Sequence, residues 1–178
     1  MCDWVKSESL RKHMFCVEAA MRAYAKKFGE DEEEWAICGL LHDFDYEKYP
    51  EVNETARTGH PFEGVRHLQS LGYPESITTA ILGHALYSGT PRVSNMAKAL
   101  FACDELCGFV VACALMKPDR LQSLTAESVK KKLKDKKFAA KVSREDIQQG
   151  ILELGISEDE HINFVIEALR GISKDLGF

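Results

Sequence analysis

No stretch of this sequence alternates apolar and polar residues with period two, so the usual signature of a half-buried strand is missing and helices are left to build the core. Long apolar runs are missing too. The longest, around Phe109–Met116, falls well short of the roughly 20 residues that a membrane-spanning helix needs. The N-terminus carries Asp3, Lys6 and Glu8 and no apolar signal core, so secretion is not expected. The six cysteines, Cys2, Cys16, Cys38, Cys103, Cys107 and Cys113, include no C-x-x-C pair. Several fall on apolar helix faces, where a free thiol behaves as a small hydrophobe, and a reducing cytoplasm is the simplest compartment. Cys103 and Cys107 share a helix face at i, i+4, which keeps a zinc or redox alternative open. Positive charge is in deficit: 23 Lys and Arg against 28 Asp and Glu give a net charge of −5. That balance gives no general attraction to nucleic acid or an anionic membrane. The one dense basic run, Lys130 to Lys137, reads as a solvated helix face.

What is present is helical periodicity in a chain of 178 residues, enough for one domain with a real core. A first helix is expected over about Ser9–Phe28, with Leu10, Met14, Val17, Met21, Tyr24 and Phe28 on one stripe and Gly29 ending it. Asp31 can cap a second helix, whose acidic first turn (Glu32, Glu33, Glu34) suits the positive end of the helix dipole; it runs to about His42, with Asp43 at its end. Residues 44–59 read as an irregular excursion, longer than usual connections. Pro61 is placed to start a helix ending near Leu71-Gly72. Further helices are expected from Pro74 to about Leu86 and from Val93 to Met116, the latter able to pack internally or across a dimer. Three shorter helices follow; Ser143 with Asp146 and Ser157 with Glu160 have capping-box spacing. The expectation is one all-α domain over 1–178, with a core at about 9–118 and a helical C-terminal appendage at about 121–178.

The ionisable residues stand out by their neighbours. His13 lies beside Leu10, Val17, Ala20 and Met21; His42 follows Trp35, Cys38 and Gly39; His84 has Ile77, Ala80 and Ile81 behind it. Asp104 sits among Leu100, Phe101, Cys107, Gly108 and Val111 at helical spacing. A carboxylate there is costly unless it is paired or meets a cation. Each residue alone reads first as a hydrogen-bonded core histidine or a helix-packing acid. Together, they place one metal-ligand type on each of four helices, all facing inward, and a shared cation is the economical explanation. Imidazole and carboxylate without thiolate suits Fe, Mn, Co, Ni, Zn or Mg. Such an ion acidifies water and neutralises phosphate oxygens.

His13, then His42-Asp43 in Leu40-Leu41-His42-Asp43, then Asp104 in Ala102-Cys103-Asp104-Glu105-Leu106, resemble the H…HD…D signature of the HD superfamily of metal-dependent phosphohydrolases, over about residues 10–115. His60 (Gly59-His60-Pro61) and His84 (Gly83-His84-Ala85) match the longer H…HD…H…H…D pattern of its dinuclear members. The resemblance implies an HD-domain helical bundle that holds divalent metal ions, two in number. His13, His42, Asp43 and Asp104 would hold the first, His60 and His84 would complete a second, and Asp43 would bridge them. A metal-activated water would then cleave a phosphoester. Two departures separate the chain from better-known branches. Phe44-Asp45-Tyr46 replaces the Gly-Lys that follows the motif in HD-GYP cyclic-dinucleotide phosphodiesterases. Tyr46 also stands where some deoxynucleoside monophosphate phosphatases carry an acid.

Asp43 and Asp45 are the catalytic candidates; Asp45 reads either as an acid orienting a ligand histidine or as an exposed loop acid. Lys48, Arg57 and Lys98, with Arg66 and Arg92, are candidates for phosphate contact, although each taken singly reads first as a surface charge. Ser88-Gly89-Thr90 can offer backbone donors to an anion. His67 reads as a surface residue, and His161 as one explained by the local acidic charge of its helix start. The expected activity is hydrolysis of a small phosphorylated molecule, a nucleotide being the first class to consider, by a monomer or homodimer that binds neither long nucleic acid nor membrane. Two alternatives remain: the same six-residue pattern resembles HD-fold di-iron oxygenases, and a helical regulatory module would hold its metal without turnover.

Overall fold

The computed structural model describes residues 3–178, which leaves Cys2 outside the described residues. They fold into α1 (Glu8–Phe28), α2 (Glu32–Leu41), α3 (Phe62–Ser70), α4 (Glu75–His84), α5 (Asn95–Leu115), α6 (Ala126–Leu133), α7 (Arg144–Leu154), α8 (Glu158–Gly171) and α9 (Ser173–Leu176), with a 3₁₀ turn at Leu86–Ser88. No strand occurs among the described residues, so the fold is all-α. No helix among them is long and apolar enough to cross a membrane.

Local chemistry sets the helix ends. The Ser7 hydroxyl accepts the Leu10 N–H to open α1, and Gly29, at φ 71, closes it with its N–H turned to the Ala25 and Lys26 carbonyls. Asp31 accepts the Glu34 N–H at 2.8 Å to open α2. Ser143 and Ser157 cap α7 and α8 in the same way, while the reciprocal capping box falls at Thr125 and Ser128, at the start of α6. α4 ends at His84, two residues before the expected limit, because its last free carbonyls find side-chain donors. The His84 ring donates to Ile81 O, the Ser88 hydroxyl to Leu82 O at 2.6 Å, and Arg92 Nη1 to Gly83 O at 2.9 Å.

The apolar α5 is the central element. Ala99, Leu100, Cys103, Leu106, Cys107, Phe109 and Val110 are fully buried, so it packs inside this chain against α1, α4, α7 and α8. Close approach is bought with glycine. A Cβ on Gly39 of α2 would lie 2.9 Å from Met21 Cγ of α1, and one on Gly150 of α7 would lie 2.6 Å from Ala102 Cα of α5. The five described cysteines are buried free thiols, and none belongs to a donor cluster among the described residues.

Two histidines depart from the sequence reading. His161 is fully buried: it accepts the Tyr24 hydroxyl at Nδ1 (2.6 Å) and donates from Nε2 to Ala102 O (2.9 Å), tying α8 to α1 and α5. Its partners are distant in sequence, which is why the acidic helix start misleads. His67 is half-buried and stacks on Trp4, their ring centroids 4.6 Å apart. The basic run around α6 is largely solvent-facing, with Lys130 paired to Asp159 and Lys132 over the Phe138 ring.

Candidate metal centre

His13 projects from the second turn of α1, His42 caps the C-terminus of α2, and Asp43 follows it. His60 ends the excursion over 43–61, held by its N–H on Tyr49 O at 2.8 Å; His84 ends α4, and Asp104 lies inside α5. The structure brings all six together as two threes, His13, His42 and Asp104, and Asp43, His60 and His84, with donor atoms in each three within 4.8 Å of one another. Asp43 faces both. Its Oδ2 is 3.5 Å from His42 Nε2 and 3.7 Å from His13 Nε2. Its Oδ1 is 3.3 Å from His60 Nε2 and 3.5 Å from His84 Nε2.

The far nitrogens of three rings are already committed. His42 Nδ1 donates to Gly39 O at 2.7 Å and His84 Nδ1 to Ile81 O, each using a carbonyl left free at its own helix end. His60 has no such carbonyl and donates to Asp45 Oδ1 at 2.7 Å. His60 Nε2 and His84 Nε2 are 3.2 Å apart, and with both protons on Nδ1 each presents a lone pair to the other and to Asp43 Oδ1. Three acceptors aimed at one point repel unless a cation lies between them. The electrostatics make the same demand. Burial opposes charge on His42, yet Asp43 and Asp104 outweigh it and hold the imidazole up to about 9. Burial likewise opposes ionisation of Asp43 and Asp104, yet the neighbouring histidines, His42 foremost, hold both below the ordinary carboxylate range. Nitrogen and carboxylate donors with positive charge in demand fit a divalent metal ion.

Five of the six residues, all but the fully buried His42, line a cavity of about 520 Å³, together with the apolar or aromatic Tyr46, Leu86, Tyr87 and Phe101 and the charged Glu105, Lys141 and Asp146. Burial, reinforced by the charge of Asp104, pushes the Glu105 carboxyl up to about 7. A larger groove of about 810 Å³ between α1, α2 and α8 touches none of the six donors.

Asp45 does not face this cavity. It is 1% exposed, and its two oxygens are taken by His60 Nδ1–H and by Gly64 N–H at 2.7 Å, so it holds the His60 ring rather than meeting a substrate. The cations singled out from sequence do not line the cavity either. Lys48 rests its ammonium on the Trp4 ring, 3.7 Å from the centroid. Arg57 donates to Ser88 O and covers Phe62. Arg66 pairs with Glu63, Arg92 grips Glu153 with two nitrogens at 2.6 Å, and Lys98 acts on that same Glu153. In the Ser88-Gly89-Thr90 turn the Thr90 N–H is spent on Ser88 Oγ. Glu105 and Tyr87 adjoin motifs that the sequence marks, whereas Lys141 carries no signal in the C-terminal segment and the spacing of Asp146 from Ser143 marks only a helix start.

No curated protein and no solved structure matches the chain significantly. The family model for the HD domain matches residues 10–108, more than half of the chain and the span that carries all six donors. By that match the chain belongs to the HD-domain family, a superfamily of metal-dependent phosphohydrolases.

Proposed function

We propose that the protein is a phosphohydrolase that cleaves the phosphoester of a small phosphorylated molecule with the help of two divalent metal ions, nucleotides being the first substrates to try. The observation that carries this reading is Asp43, which offers one oxygen to each histidine-containing triad on the wall of a cavity of about 520 Å³. His13, His42 and Asp104 would hold one ion, His60 and His84 the other, and Asp43 both. Divalent ions in such donor sets lower the pKa of water and neutralise phosphoryl oxygens. The chain's own residues do the positioning. The carbonyls of Gly39 and Ile81 and the carboxylate of Asp45 keep three imidazoles in the Nδ1–H tautomer, leaving Nε2 free to ligate. The Tyr87 hydroxyl donates to His60 O at 2.9 Å and holds the cavity wall to the ligand loop. Leu86, Tyr87 and Phe101 give the cavity an apolar stretch of wall, the place for an apolar part of the substrate.

The test is phosphate release from a panel of nucleotides and sugar phosphates by protein loaded with manganese, zinc or iron, with oxygen uptake and metal content followed in parallel. Turnover with redox-inert ions is expected. Asp104→Ala should lose metal and at least about 100-fold in rate, beyond the loss expected on removing a group that only orients a ligand. Oxygen consumption confined to the iron form would favour an oxygenase, and metal binding without any turnover a regulatory module.

A further inference from the structure

We propose that Lys141, on the segment joining α6 to α7, is the cation that takes hold of the anionic group of the substrate. The proposal rests on the phosphohydrolase reading and adds to it a specificity-determining residue from outside the family match at 10–108. Among the described residues, Lys141 is the one Lys or Arg on the wall of the cavity that His13, Asp43, His60, His84 and Asp104 line. Its side chain is exposed and makes no hydrogen bond or ion pair with any described residue, although Glu105 and Asp146 share the wall. The basic residues considered from the sequence are engaged elsewhere, on Trp4, Ser88, Glu63 and Glu153.

The backbone that carries this free ammonium is held tightly. Arg144 Nη1 donates to Ala139 O at 2.6 Å and to Val142 O at 2.7 Å, Nη2 donates to Phe138 O, and the guanidinium lies over the Phe109 ring of α5. Ser143 N–H binds Glu105 Oε2 at 3.1 Å, tying the segment to the residue after Asp104. Ala139 sits at φ 43, in the left-handed region that costs a residue with a Cβ about 1 kcal/mol or more. A strained segment clamped by five contacts, with a free charge at its centre, fits a positioned phosphate contact better than a solvated loop. A lysine suits the task, since its ammonium is a compact point charge on a stem that adapts to the ligand.

The experiment compares wild type with Lys141→Ala, Lys141→Arg and Lys141→Glu; because the side chain is exposed and unbonded, the fold should tolerate each change. Two readouts are taken on manganese-loaded protein: calorimetric affinity for inorganic phosphate, and kcat and KM for p-nitrophenyl phosphate. Losing one charge-assisted contact to phosphate should weaken phosphate binding and raise KM about tenfold in Lys141→Ala, with a smaller change in kcat and unchanged manganese binding. Lys141→Glu should lose more, Lys141→Arg should regain most of the affinity, and the salt dependence of binding should flatten in Lys141→Ala. Wild-type affinity and KM in Lys141→Ala and Lys141→Glu would overturn the role of Lys141 and leave the hydrolase reading standing. A wild-type protein that neither binds phosphate nor hydrolyses a phosphoester would overturn both.

Discussion

The imidazole of His60 points its Nε2 at Asp43 because its other nitrogen is held by Asp45, and Asp45 is held in turn by the N–H of Gly64. A Cβ at Gly64 would lie 2.6 Å from Asp45 Cγ and within 2.9 Å of both carboxylate oxygens, so only glycine leaves room for the carboxylate. Asp45 uses two acceptors, one for each donor, whereas an asparagine has one oxygen and would turn its amide NH₂ toward a donor. Asp45→Asn should therefore weaken the ion at Asp43, His60 and His84 by about 10–100-fold, with less effect on the other triad. Gly64→Ala should give the same selective loss although it removes no polar atom. Manganese titration with stoichiometry is the measurement; two ions bound at wild-type affinity by Gly64→Ala would refute the link. The sequence marks the six donors because each residue type sits at a telling place on an apolar helix face or in a motif. It leaves Asp45 undecided, because whether a loop acid turns inward depends on where Gly64 arrives.

Between elements, the contacts that set the site are backbone approaches and one buried polar tie. α7 lies on α5 where Gly150 meets Ala102, and the same α7 begins at the end of the Lys141 segment. Gly150→Ala should push the helices apart, costing about 1–3 kcal/mol in unfolding free energy. It should also raise KM by displacing Lys141; thermal unfolding and steady-state kinetics read the two effects. His161 joins three helices as a neutral ring, and burial holds its pKa down to about 4 from an ordinary 6.5. The unfolded chain therefore binds the proton more readily. The stabilisation is complete above about pH 6.5, falls as pH drops toward 4, and totals about 3 kcal/mol at full loss. Urea unfolding between pH 7 and 4.5 should show this decline, and His161→Gln should flatten it; an unchanged slope in the variant would assign the decline to other groups. Periodicity places α8 and its cap at Ser157 correctly, since both depend on neighbours within a turn. Tyr24 and Ala102, the partners of His161, come from α1 and α5, and no local pattern predicts them.

At the scale of the whole molecule, the donors come from α1, the end of α2, the excursion after it, α4 and α5, so bound ions would cross-link most of the α1–α5 region. An ion that binds only the folded chain adds about 2.7 kcal/mol at a hundredfold excess over its Kd. That is a rise of roughly 5–10 °C in Tm for a chain of this size. Manganese should produce the rise, a chelator should reverse it, and Asp104→Ala should remove most of it. A Tm indifferent to every divalent ion would argue against a metal centre. What the sequence alone determined was the helical fold class, most helix limits and which six residues to consider as metal ligands, which the fold gathers into two groups able to hold an ion. These follow from caps such as Asp31, Ser143 and Ser157, from apolar spacing, and from a motif whose residues lie in order along the chain. Tertiary structure alone decided that Asp43 divides its two oxygens between two triads, that Asp45 turns inward, and that Lys48, Arg57 and Lys98 face away while Lys141 lines the cavity. Each of these depends on which distant segments meet, and contacts across long loops leave no periodic trace in the chain.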